Sequence, residues 1–153
     1  MGGILFVTKL ALANIPNVNM NAVLIILCAV FFGWRSYYSL AIYILLEGLI
    51  FGFHVWWISY VFIWPILVLI CVLMRKNDDA LLWAVVAGAW GLAFGPLMYI
   101  PYFCIMGGWG GYFTMWVAGL AYDLTHCISN FLVTLVLYRP LKRALEIALG
   151  RKE

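Results

Sequence analysis

Apolar residues fall into six blocks along the chain, separated by short polar or turn-forming stretches. The first, residues 2–13, is short and carries Lys9. It ends at residues 14–21, where four asparagines and Pro16 form a turn, because Asn side chains satisfy local backbone groups and Pro16 stops a helix. Blocks follow at 22–33, 37–53, 55–74, 80–100 and 113–138, each read as a helix. They are punctuated by Trp34-Arg35-Ser36, by His54, by the charged turn Arg75-Lys-Asn-Asp-Asp79 and by a Pro/Gly/aromatic loop over 101–112. Residues 139–153 form a short amphipathic tail. About 20 apolar residues at a rise of 1.5 Å cross a bilayer, so this alternation predicts an all-α integral membrane protein. The expected architecture is one compact bundle of six transmembrane helices, a single domain over residues 1–153.

Composition supports the same class. Hydrophobic residues make up 67% and charged residues 10%, against about 45–50% and 25% in soluble domains. A soluble fold with so little polar surface would expose large apolar patches. The net charge of +3 does not indicate nucleic-acid binding. Cys28, Cys71, Cys104 and Cys127 lack CxxC spacing and are expected as free thiols. The first block has neither a basic leader nor a small-residue cleavage site, so no signal peptide is expected.

The charge distribution sets an orientation. In a six-pass chain Arg35, Arg75, Lys76, Arg139, Lys142, Arg143, Arg151 and Lys152 share one side, while the opposite loops hold no Lys or Arg. The positive-inside rule then puts both termini in the cytoplasm.

Within the apolar blocks a few polar groups stand out. Asp123, His126 and Asn130, at spacings of three and four, share one face of the sixth helix. An ionisable group facing lipid costs on the order of 3 kcal/mol, so that face should look inward. Glu47 lies two to three turns from the outer end of the third block, at a depth comparable to Asp123 and His126. Trp57, Tyr60 and Trp64 share a face of the fourth helix, and His54 sits at the turn before it. Together they describe an outward-opening pocket with aromatic walls and a few directional polar groups. Burial against neighbouring helices is the competing reading for each. Ala87, Gly91 and Gly95, and likewise Gly48 and Gly52, repeat at four-residue spacing, which suits close helix packing or a partner-docking face.

Asp123 could orient His126 as a general base in an intramembrane enzyme, but no matching Ser nucleophile or oxyanion loop accompanies them. His54, His126, Glu47 and Asp123 are metal-ligand types without ligand spacing, so no metal and no cofactor is expected. Gly107-Gly-Trp-Gly-Gly111 is not followed by Lys-Ser/Thr, so it is no phosphate loop, and ATP hydrolysis is not expected of this chain. A purely structural membrane partner is the third alternative.

The six short segments, the Ile15-Pro16-Asn17-Val18-Asn19 turn, and the closing Asp123-Leu-Thr-His126-Cys-Ile-Ser-Asn130 with Leu137-Tyr-Arg-Pro-Leu141 resemble the substrate-binding S components of energy-coupling factor (ECF) transporters. The resemblance covers nearly the whole chain and rests on the order and spacing of loose motifs. It implies a transport subunit, not an enzyme, that captures a vitamin or similar micronutrient from outside the cell. Its implied partners are a membrane scaffold subunit and two cytoplasmic ATPases, and its implied location is the plasma membrane of a bacterium. By the same resemblance residues 14–21, with Asn17, act as a lid. The pocket then draws on segments four to six, Tyr99 and the loop 101–112. The chain departs from the family in lacking the Ala-x-x-x-Ala patch of the first helix: Ala11 and Ala13 are two apart. Aromatic walls favour a flat heterocycle. Glu47 and Asp123 favour donors or positive charge on it, as in a thiamine-like or pyrimidine-like compound, with His126 as donor or acceptor.

Overall fold

A computed structural model describes residues 1–13, 20–105 and 107–150. The described residues form helices and turns: α1 (Gly2–Ala11), α2 (Asn21–Phe32), α3 (Ser36–Phe51), α4 (Val55–Met74), α5 (Ala80–Met98) and α6 (Trp109–Ala148). Short 3-10 turns at Gly33–Arg35 and Ile100–Tyr102 join α2 to α3 and extend α5.

Lengths divide these helices into two groups. α4, α5 and α6 have 20, 19 and 40 residues, and by length and composition four stretches can cross a membrane: Asn21–Phe51, which holds α2 and α3, Val55–Met74, Ala80–Tyr102 and Trp109–Ala148. α1, α2 and α3 have 10, 12 and 16 residues, about 15, 18 and 24 Å at helical rise, short of a hydrocarbon core of about 30 Å. α2 and α3 are contiguous in sequence but fold back as a hairpin. In one straight helix Asn21 and Tyr43 would stand about 33 Å apart; instead Asn21 Nδ2 donates to the Tyr43 hydroxyl at 2.8 Å. The reversal occurs at Gly33, whose φ of 56° favours glycine and whose Hα face is covered by the Arg75 side chain.

α1 lies along α3 in the same direction, with Gly2 against Ser39 and Ile42 and Lys9 against Glu47. α5 and α6 form the most extensive helix pair. They run antiparallel, since Gly88 faces Phe131, Gly91 faces Cys127, Gly95 faces Asp123, and Tyr99 reaches back to Gly119. A Cβ at Gly91 would stand 2.6 Å from the Cys127 backbone nitrogen, so glycine sets how closely these backbones approach. The small-residue spacing at 91 and 95 therefore serves packing within the bundle. Gly48 is covered by Phe53 and Trp57, and Gly52 takes φ 90° at the end of α3.

The sixth helix is longer than its apolar pattern. It starts at Trp109, not at 113, and continues through Pro140 to Ala148, so most of the expected tail is a rigid extension of α6. At about 60 Å it is twice the hydrocarbon thickness. Tyr138 and Lys142 on this extension hold Asp78 of the α4–α5 turn, at 3.4 and 2.7 Å.

Burial is inverted relative to a soluble protein. Glu47, Ser59, Asp123, Asn130 and Thr134 are buried, whereas Leu73, Val117, Ile128 and Val136 stand exposed on the same helices. Polar groups inside and aliphatic groups outside are what lipid as solvent selects. An all-helical, membrane-embedded protein follows from this pattern.

Candidate functional site

Glu47 is fully buried on α3 and is met by a residue the polar pattern of the later helices does not point to. Lys9 of α1 places its ammonium 2.5 Å from Glu47 Oε2. The ammonium also stands 5.2 Å from the ring centre of Tyr60, 5.3 Å from that of Phe51 and 5.9 Å from that of Trp56. A carboxylate beneath and three rings around one cation is a strongly favourable arrangement in a low-dielectric setting. The Tyr43 hydroxyl faces the same carboxylate. Oε1 of Glu47 is buried without a hydrogen bond among the described residues.

Above this pair opens a cleft of about 570 Å³, lined by Lys9, Leu10, Ala13, Phe51, Trp56, Tyr60 and Met98. Its walls come from α1, α3, α4 and the end of α5. Of the sequence-predicted site residues, it collects Tyr60 directly and Glu47 through Lys9.

Asp123 and His126 lie elsewhere. The Asp123 carboxylate packs onto Gly95, where any side chain would overlap it, and its Oδ2 is buried without a hydrogen bond among the described residues. Asp123 does not orient the imidazole: His126 Nδ1 is 3.3 Å from the Tyr122 carbonyl one turn earlier. The His126 ring stacks on Phe94 at 5.6 Å with an interplanar angle of 20°. Tyr99 is half-buried over Gly119 and close enough to Asp123 to interact electrostatically. Asn130 and Thr134 continue the buried face of α6, and Asn130 Oδ1 and Thr134 Oγ1 also lack hydrogen bonds among the described residues.

A row of rings joins the two polar centres. Trp56 meets Tyr60 at 5.2 Å, Tyr60 meets Trp64 at 5.7 Å, Trp64 meets Phe94 at 5.5 Å, and Phe94 meets His126. The first two contacts are edge-to-face, the third is tilted and the fourth is stacked, and the edge-to-face pairs are favoured by the ring quadrupole. The expectation that Glu47, Asp123 and His126 converge on one cavity is therefore replaced by two polar centres with Tyr60, Trp64 and Phe94 between them. The reason is Lys9, which neutralises Glu47 locally and leaves it no need of an α6 partner.

The remaining predicted residues are placed as follows. Trp64 is buried within the ring row. Trp57 turns away from it and donates Nε1 to the Ile44 carbonyl at 2.8 Å, lining a crevice between α3 and α4. His54 is exposed at the start of α4, against Gly52. Asn17 and all of the expected lid except Met20 and Asn21 lie outside the described residues. A separate apolar cavity of about 440 Å³ is formed by Ile100, Pro101, Phe103, Cys104, Trp109 and Tyr112. Among the described residues no cluster of three or more His, Cys, Asp or Glu is placed to hold a metal.

Sequence reasoning did not select Lys9, Phe51, Trp56, Phe94 or Met98. Lys9 carried a usable signal: a lone cation in an apolar block requires an opposite charge at the same depth, and Glu47 is the lone anion of the third block. No family model, curated protein or solved structure matches this chain.

Proposed function

We propose that this chain is a substrate-capturing membrane subunit of the S-component type. On this reading it crosses the plasma membrane of a bacterium six times, the bilayer thinning locally to match the short α1, α2 and α3, with both termini in the cytoplasm. It takes up a small heterocyclic micronutrient from the outer side and delivers it with an ECF scaffold and two ATPase subunits. The motif order, from the Pro-Asn turn to the Tyr-Arg-Pro-Leu ending, supports the family reading. The observation that carries solute capture is the cleft over Lys9, about 570 Å³ with Phe51, Trp56, Tyr60 and Met98 as walls. That volume and lining match a site for a small, flat molecule. Apart from the Lys9–Glu47 pair, the cleft lies at the end of the helices opposite the Arg- and Lys-bearing turns, which supports an outward opening by the positive-inside rule.

The test is tryptophan fluorescence of the full chain in lipid nanodiscs against a panel of vitamins. A saturable change that is lost in Trp56→Phe and kept in Trp34→Phe is expected, since Trp56 lines the cleft and Trp34 lies at the α2–α3 turn. Absence of any saturable response across the panel removes the reading. Co-purification with an ECF scaffold and its ATPases tests the transport assembly separately.

A further inference from the structure

The Lys9 ammonium occupies a cage whose chemistry is that of a receptor for an organic cation. Beneath it is a fully buried carboxylate, Glu47, and around it stand Phe51, Trp56 and Tyr60, each within 6 Å. Aromatic faces over a buried anion recognise ammonium and heteroaromatic cations through the ring quadrupole and direct charge pairing. The second carboxylate oxygen, Glu47 Oε1, is buried and has no hydrogen bond among the described residues, so the anion retains accepting capacity that Lys9 does not use. Lys9 itself remains 30% exposed to the cleft, on the last full turn of a ten-residue helix.

We propose that Lys9 is an internal stand-in for the substrate, and that the captured solute is a flat organic cation whose positive centre displaces the Lys9 ammonium from Glu47 and its three rings. The proposal rests on the solute-capture reading of the same cleft. Charge balance decides between a cation and an anion as the guest. An anion bound by Lys9 would draw the ammonium off Glu47 and leave a buried carboxylate unpaired, which is strongly unfavourable. A cation keeps Glu47 paired throughout, while the Lys9 ammonium moves along its four-carbon stem to the polar interface. The exchange is electroneutral inside the protein, and the rings remain in contact with positive charge before and after. Lys9 thereby keeps Glu47 paired and the cage formed while no solute is bound, and it sets a threshold that a weaker cation does not pass.

The experiment uses the full chain in nanodiscs with three probes of similar shape: phenyltrimethylammonium, neutral tert-butylbenzene and benzoate. Binding is followed by tryptophan fluorescence, and Lys9 exposure by its acylation with an amine-reactive reagent, read by mass spectrometry. The expected result is saturable binding of phenyltrimethylammonium, preferred over the neutral isostere by about tenfold or more. Acylation of Lys9 rises as the cation binds, Lys9→Met tightens cation binding, and Glu47→Gln abolishes the preference for charge. Preference for benzoate with Lys9 protected from acylation overturns the proposal, as does a folded Lys9→Met chain that no longer binds the cation. If Lys9→Met does not fold, the acylation readout on the unaltered chain decides. A saturable response to the vitamin panel without any to phenyltrimethylammonium overturns the cation proposal alone. Silence in both sets removes solute capture as well.

Discussion

Lys9 and Glu47, 38 residues apart in sequence, form a salt bridge at 2.5 Å that ties the first helix to the third inside an otherwise apolar bundle. Each is the lone charge of its block, and the fully buried Glu47 is costly in that setting without a partner. Lys9→Met is expected to destabilise the bundle by about 3–5 kcal/mol, because it leaves the fully buried Glu47 carboxylate uncompensated. Glu47→Gln should cost less, because the 30% exposed Lys9 can carry its ammonium to the polar interface. The double variant should recover most of that loss. Thermal unfolding of all four chains in detergent gives the coupling, and additive losses would mean that the pair is not energetically linked.

Gly95 is the position where α5 makes room for the Asp123 carboxylate. Gly95→Ala is expected to cost about 1–3 kcal/mol through overpacking, and Gly95→Ala combined with Asp123→Ala should regain most of it. Gly91→Ala meets the backbone of Cys127 and should find no such rescue. Gly3→Ala, with nothing within 4 Å of the added carbon, serves as the neutral control. Melting temperatures of these variants check the whole set.

Cys104 is exposed in the α5–α6 connection, Cys28 and Cys71 are buried, and all four cysteines are free. A membrane-impermeant maleimide added to intact cells should label Cys104, and Cys104→Ser should remove the signal. A cysteine introduced in place of Asn77, in the α4–α5 turn, should react after permeabilisation. Labelling with the opposite sidedness would reverse the proposed orientation.

The Asp78 clasp on α6 should contribute little. Asp78 is 66% exposed and its partner Lys142 also pairs with Glu146 at 3.5 Å, so solvent and salt screen the interaction. Asp78→Ala is expected to lower stability by less than about 1 kcal/mol, and the difference should vanish in 1 M salt, where the Debye length is about 3 Å. A large, salt-insensitive loss would instead point to the buried Tyr138 hydroxyl as the group that matters.

The membrane class, the helical character of the apolar blocks, the charged turn at 75–79 and the inward-facing polar stripe of α6 were legible in the chain, because each follows from local properties. Apolar run length, turn-forming residues and a three-to-four spacing require no knowledge of neighbours. Helix ends were less legible. Pro140 marks a stop in local terms, yet α6 passes through it, and Trp109 to Tyr112 join the helix despite their glycines.

The site is where tertiary structure decided. Helical spacing put Trp57 on one face with Tyr60 and Trp64, but the packing of α3 draws Trp57 to the Ile44 carbonyl, and Trp56 joins the ring row in its place. Likewise the sequence alone determined that Glu47 and Asp123 must be shielded from lipid, since the desolvation of a carboxylate depends on its surroundings being apolar. It did not determine by what. Lys9 pairs with Glu47, and Gly95 lies beneath Asp123, because the direction of α1 along α3 and the close approach of α5 to α6 bring those residues together. Partnership between distant residues is a property of how helices pack, and no periodicity within one helix encodes it.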